Sequence, residues 1–340
     1  MSYLTPKDRL LDTLAKKRVD RPPVICTGGM MNSAIVDIMT KTGHTLPEAH
    51  FEAERMATLA GDVHIETGFE NIGIPFCMTV EAEVLGSEID FGSLSCEPKI
   101  ARENFASAKD VIIKPVPSML DSGRIRAVAG AAGLLARRHP EQPVIGSLTG
   151  PISTAASLVD PIQFLKELRK DRENAHRVLD YVTGFLISFA HAMVDSGVAV
   201  ICIGDPTATG EILGPKMFDE YAVTYLNKLI DGIHRSGVPV IVHICGEMKS
   251  VKASVPALRS EAISTDAFVN LRLLKQEYPQ LTTMGNLSTI LLESGDPAKV
   301  AERTGHLVRD GINIISPACG LSTSTSLAAI RAMTETVKEG

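Results

Sequence analysis

The chain has 340 residues, 44% hydrophobic and 22% charged, proportions of an ordinary globular protein that exclude disorder as its main state. Its 34 basic and 40 acidic side chains leave a formal net charge of -6, which argues against binding a nucleic-acid backbone. No apolar run approaches the ~18 residues that a membrane-crossing helix needs, and six thinly spread cysteines fit reduced thiols in the cytoplasm rather than a disulfide scaffold.

Residues 1–14 lack the apolar core of a signal peptide and read as a charged helix. A series of short apolar runs rich in β-branched residues follows, at 23–27, 71–75, 143–148, 198–204, 238–244, 262–265, 281–285 and 312–316. Several are almost continuously apolar, as parallel strands covered on both faces must be. Amphipathic spacing predicts helices over 160–179, 180–196, 215–236, 297–309 and 326–337. Gly197, Gly237 and Gly311 stand between a helix and the next strand, where a left-handed residue is wanted. Eight strands alternating with helices count up to a single-domain α/β fold, a (β/α)8 TIM-like barrel with an N-terminal helical extension. Residues 78–111 break the rhythm after the second strand and read as an insertion, a hairpin around Gly86 and Gly92. A doubly wound open sheet is the alternative, but no Gly-rich dinucleotide fingerprint opens an early helix, and Gly28-Gly29 is only a glycine pair.

The run at 238–244 ends in Val-His-Ile-Cys-Gly, so His243 and Cys245, two apart on an extended chain, point to one face. Cys319 follows the last predicted strand, at the same carboxyl-terminal end where barrel enzymes keep their sites. One imidazole and two thiolates make an N,S,S set that suits Zn2+, with a fourth position left for substrate. The plain alternative is that each cysteine is a small buried hydrophobe and the histidine a satisfied polar residue.

At these residues the sequence resembles the zinc-dependent methylcobamide:coenzyme M methyltransferases of the uroporphyrinogen decarboxylase superfamily. The likeness runs through Thr5-Pro6-Lys7-Asp8-Arg9-Leu10, Val19-Asp20-Arg21-Pro22-Pro23, Pro47-Glu48-Ala49-His50 and Gly68-Phe69-Glu70. It continues through Glu81-Ala82-Glu83, Gly150-Pro151, Gly204-Asp205-Pro206-Thr207-Ala208, Gly285-Asn286-Leu287 and the His243-x-Cys245…Cys319 signature. The resemblance implies a bound zinc ion, a methylcobamide donor carried by a partner corrinoid protein, and a small thiol acceptor. It also implies site roles. Asp266 either orients His243 or fills the fourth metal position, against a plain role in capping the next turn. Asp205 carries the same two readings. Glu83 is a candidate site carboxylate, His50 a structural residue, and Asn286 a hydrogen-bond partner for corrinoid or substrate. Met30-Met31 borders the expected mouth.

Relatives tend to carry a polar residue such as Gln after the first strand, where this chain reads Cys26-Thr27-Gly28-Gly29-Met30. No basic residue stands beside any predicted strand end, so the sequence offers no sulfonate pocket of its own. Coenzyme M, another thiol and tetrahydrofolate all stay open as acceptors, as does demethylation of a donor. A uroporphyrinogen decarboxylase would need cations in residues 27–33, which hold no arginine. A corrinoid-protein partner with purely structural zinc would need a fourth protein ligand.

Overall fold

The protein is described by a computed structural model covering residues 4–27 and 33–340; Gly28, Gly29, Met30 and Met31, expected at the mouth, lie outside the described residues. The strands are β1 (Ile72–Ile74), β2 (Glu88–Asp90), β3 (Lys99–Arg102), β4 (Val144–Thr149), β5 (Val200–Gly204), β6 (Val240–Ile244), β7 (Ala262–Thr265), β8 (Thr283–Leu287) and β9 (Ile314–Pro317). β2 and β3 form an antiparallel hairpin, and the other seven make one parallel sheet in the order β1-β4-β5-β6-β7-β8-β9. Every residue of β4, β5, β6, β7 and β9 is buried, which is why those runs show no polar alternation. β7 lies on the expected residues, while the other sheet strands begin one or two residues later than the apolar runs. Gly197, Gly237 and Gly311 turn the chain with φ of 111°, 77° and 72°, and two residues pass before ladder pairing starts.

The eighth element departs from expectation. Residues 23–27 form no ladder, only a parallel bridge between Val24 and Ile315 of β9. The segment pairs through its backbone on the β9 side, and side chains complete the pairing on the β1 side. On the β9 side, Ile25 N donates to Ile315 O at 3.0 Å and Ile315 N donates to Pro23 O at 2.9 Å. On the β1 side, Glu70 N donates to Val24 O, and the Glu70 carboxylate accepts from Val24 N, each at 2.9 Å. The Asn71 amide then clasps Cys26, accepting from its N at 2.9 Å and donating to its O at 2.7 Å. This segment joins the two ends of the sheet into a TIM-like barrel. Glu70 also receives Arg9 at 2.6 Å and Arg21 at 2.8 Å, so the helix Pro6–Leu14 is pinned to the closure by a buried guanidinium.

Two helix boundaries are corrected. The expected break between 179 and 180 falls instead at Asp171, whose side chain caps Asn174 N, so the helices are Pro161–Lys170 and Arg172–Asp195. The expected helix 215–236 is three pieces, Gly210–Met217, a π turn Phe218–Val223 and Thr224–His234, because Gly214 at φ 65° and Pro215 interrupt its start. In the insertion, Gly86 ends the short helix Val80–Leu85, and Gly92 lies in the β2–β3 connection. Among the described helices only Arg172–Asp195 has the length and apolarity to cross a bilayer, and over half of that stretch is buried within the fold.

Replacing Asn71 by leucine strands the backbone N–H and C=O of Cys26 without partners. Asn71→Leu is expected to lower unfolding free energy by about 2–4 kcal/mol, read from the urea midpoint; an unchanged midpoint would show that the clasp does not hold the closure.

Candidate metal centre

β6 carries His243 one residue before its end, with the side chain almost wholly buried. The parallel register sets His243 opposite Ser264 of β7, and the imidazole Nδ1 lies 2.9 Å from Ser264 Oγ. With Nδ1–H donated to Ser264, the Nε2 lone pair is left facing Cys245 Sγ, 3.2 Å away. Cys319 is placed from the other side: Ala318 N donates to Leu287 O at 2.8 Å, which ties the residues after β9 to the end of β8. Cys245 Sγ and Cys319 Sγ then stand 3.7 Å apart, and the three donor atoms lie within 4.8 Å of one another. Two sulfurs at ~2.3 Å from one tetrahedral ion would be separated by about 3.8 Å, so the spacing fits zinc. Among the described residues no fourth His, Cys, Asp or Glu joins the cluster.

The two thiols titrate as a pair. The hydrogen bond from Cys245, opposed by burial and reinforced by His243, pulls Cys319 down to about 4. Cys245, holding the shared proton and buried, is raised well above the ordinary thiol range, with Cys319, Asp266 and Asp205 adding to the rise. A cation between them could replace that proton, and both sulfurs would then be thiolates.

The polar residues around the triad hold loops. Gly246, at φ 69°, turns the chain after Cys245 against the Glu211 carboxylate, and a Cβ there would lie 2.7 Å from Glu211 Oε1. Glu211 accepts from Glu247 N at 2.6 Å. Asp266 accepts from Gly246 N and Phe268 N, each at 3.3 Å, so its carboxylate steadies the turn behind Cys245 while Ser264 occupies His243 Nδ1. Asp205 is fully buried and accepts from Ile152 N at 3.0 Å, Ser153 N at 2.8 Å and Ser153 Oγ at 2.6 Å, capping the helix Pro151–Leu158. Burial pushes it up to about 6, against those hydrogen bonds. Asn286 donates to Asp266 O at 2.8 Å and Val269 O at 2.7 Å, fastening the loop after β7.

The second strand end holds what the sequence reading missed. The helix Gly123–Arg138 delivers a buried Arg124 beside the chain after β1, so the expectation that no basic residue stands at a strand end is corrected. Arg124 donates to Cys77 Sγ at 2.7 Å, Glu83 at 2.9 Å and Thr79 Oγ1 at 3.2 Å. Glu83 is therefore paired with Arg124. His50 is fully buried with neither ring nitrogen hydrogen-bonded, and burial, then Arg124, pushes it down to about 4, so it stays neutral. Glu81 is the more enclosed carboxyl of its motif. It accepts from Thr149 N at 2.8 Å, at the end of β4, and burial raises it to about 7.

The chain matches the family model described as Uroporphyrinogen decarboxylase (URO-D) over residues 5–340. It is 33% identical over 340 residues to the methylcobamide:CoM methyltransferase MtbA of Methanosarcina acetivorans, covering 99% of both chains. It is 27% identical to a methylated-thiol–coenzyme M methyltransferase of Methanosarcina mazei, covering 100% of this chain and 90% of that one. A solved methyltransferase structure from Methanosarcina mazei superposes with a TM-score of 0.93 at 27% identity, covering 99% of each chain.

Two outcomes are expected. Ser264→Ala frees the imidazole and lowers zinc affinity about 10–100-fold by competitive chelator titration, with the fold intact; unchanged affinity would remove Ser264 from the site. Asp205 has a raised folded pKa, so its own contribution to stability is lost as pH rises past 3.8 and levels off above about 6. The stability deficit of Asp205→Asn should therefore shrink by about 2–3 kcal/mol between pH 4 and pH 7.5 in urea unfolding.

Proposed function

The chain belongs to the uroporphyrinogen decarboxylase family, and we propose that it transfers a methyl group from a methylated corrinoid to a thiol, with Zn2+ held by His243, Cys245 and Cys319. One observation carries this reading: an imidazole anchored through its outer nitrogen faces two sulfurs 3.7 Å apart, with no fourth protein donor among the described residues. A structural zinc site closes its tetrahedron with a fourth protein ligand, whereas a three-ligand site keeps a position for substrate. The relatives with full-length coverage are named for methyl transfer between methylcobamide or methylated thiols and coenzyme M.

Zn2+ bound by this set would hold an acceptor sulfur as a thiolate at neutral pH, where a free alkyl thiol of pKa ~8.5 is mostly protonated. The protein's own part is positional. Ser264 fixes the imidazole tautomer, and Cys245 and Cys319 give up their shared proton and keep electron density on the metal. Asp266, Glu211 and Asn286 hold the loops that carry or flank the ligands. With the methylated corrinoid as donor, the acceptor sulfur's electron pair would form the new S–CH3 bond and the Co–C pair would stay on the donor's cobalt, taking it from Co(III) to Co(I). The thiol proton leaves to solvent, and no outside oxidant or reductant is needed.

The donor is a large macrocycle, and it is proposed to arrive on a partner corrinoid protein at the carboxyl-terminal face. Coenzyme M is the acceptor that the relatives' names give. Arg124 is already paired with Glu83, so among the described residues it is not an uncompensated cation for a sulfonate at the end of β1. A site built on reduced thiols suits the cytoplasm.

The test is methylcobalamin demethylation followed at the cobalt absorbance bands, offering coenzyme M, homocysteine and tetrahydrofolate separately. A thiol should be methylated, and Cys245→Ala and Cys319→Ala should each lose zinc and turnover while keeping the native melting transition. Turnover with tetrahydrofolate and none with any thiol would overturn the thiol assignment.

A further inference from the structure

A cavity of about 460 Å³ opens at the opposite end of the barrel from His243 and Cys245. Its walls come from the residues that precede β8 and β9, including Thr282 and Ile312, and from the chain after the helix Pro6–Leu14. Four cations line it, Lys16, Lys17, Arg21 and Lys275, against one carboxylate, Asp20. That carboxylate is taken, since both its oxygens accept from Arg9 at 2.8 Å. Lys17 is neutralised by Asp12 and Arg21 by Glu70.

Among the described residues the other two cations have no carboxylate within ion-pair distance. Lys16 Nζ donates to the Gln280 carbonyl at 2.9 Å, and Lys275 Nζ donates to the Gly311 carbonyl and, at 2.9 Å, to Asn313 Oδ1. Neutral acceptors of this kind orient an ammonium group without cancelling its charge. Lys275 is half-buried, and burial draws its pKa below the ordinary value, as for a cation lacking a counter-charge.

Lys16 is also the only non-glycine residue with positive φ among the described residues, at 57°. It sits just past the helix end, where Lys16 N donates to Thr13 O and Lys17 N to Asp12 O, a closing turn that glycine usually fills. A long cationic side chain is thus kept at a backbone position that favours no side chain, and it reaches across the cavity to the segment before β8.

We propose that this cavity is a binding site for a small phosphate-bearing anion, gripped by Lys16 and Lys275. A phosphoryl group suits two uncompensated ammonium groups because it carries nearly two charges and several acceptor oxygens, enough to take donors from both lysines. The volume exceeds what one phosphate fills, leaving room for the organic body of a phosphate monoester. The site stands apart from the metal centre and does not rest on the methyl-transfer reading.

The experiment is isothermal titration of the full chain at low salt with inorganic phosphate and, separately, with adenosine monophosphate. Saturable binding is expected for the native chain, weakened about tenfold or more in Lys16→Gly and in Lys275→Gln. Tighter binding of the monoester identifies an esterified ligand, and equal or tighter binding of phosphate identifies the free ion. Lys16→Gly relieves the backbone, so its ligand-free melting temperature should equal or exceed the native one, which separates lost binding from lost folding. The proposal is overturned if the native chain binds neither probe at millimolar concentration, or if Lys16→Gly binds as tightly as the native chain.

Discussion

A parallel sheet with two raw edges cannot serve as a barrel until something pairs with both edges at once. Here that element is a five-residue stretch opened by proline, which pairs through its backbone with β9 but relies on side chains toward β1. The closure works because Glu70 and Asn71, at the start of β1, present side chains that imitate a neighbouring strand to Val24 and Cys26. Buried backbone groups must find partners, and two polar side chains supply them. The site depends on this curvature: His243 and Cys245 lie at the end of β6 and Cys319 follows β9, three strands along the sheet. Only a sheet rolled on itself brings their donor atoms within a few ångströms.

The same device recurs around the carboxyl-terminal rim. Glu81 binds the amide of Thr149 at the end of β4, and Asp205 after β5 caps the helix that follows β4. Asp266 after β7 holds Gly246 after β6, and Asn286 of β8 holds the loop after β7. Each acidic or amide side chain at one strand end fastens the turn belonging to its neighbour. Hydrogen bonds to charged acceptors are the stronger kind, and the low dielectric of a buried rim raises their worth. A donor set spread over β6 and the loops after β6 and β9 depends on such anchoring, since small misplacement of a donor weakens coordination sharply.

Much of this was legible in the sequence, for identifiable reasons. Strands buried on both faces announce themselves as unbroken apolar runs, and the His-x-Cys spacing of an extended chain puts both ligands on one side. What stayed hidden depended on contacts between distant segments. The stretch 23–27 has the composition of a strand, and the side-chain clasps from Glu70 and Asn71 that complete its pairing are visible only in three dimensions. Ser264 lay inside a predicted strand, but its role follows from the register that sets it against His243. Arg124 sits mid-sequence in an ordinary amphipathic helix, and nothing local signals that it reaches Cys77, 47 residues away. The motif Glu81-Ala82-Glu83 offered two carboxylates; burial against Thr149, a long-range fact, distinguishes the enclosed one from the one paired with Arg124.

The 3.7 Å gap between Cys245 and Cys319 has an oxidative corollary. A covalent bridge between two sulfurs measures ~2.05 Å, so a modest rotation of either side chain would let an oxidant join them. The pair shares one proton and so offers a thiolate, with Cys319 the thiol drawn downward, and a thiolate is the form that attacks peroxide. The chemistry that suits the pair to share a cation thus also suits it to oxidation, and a bound cation would shield both sulfurs from rust.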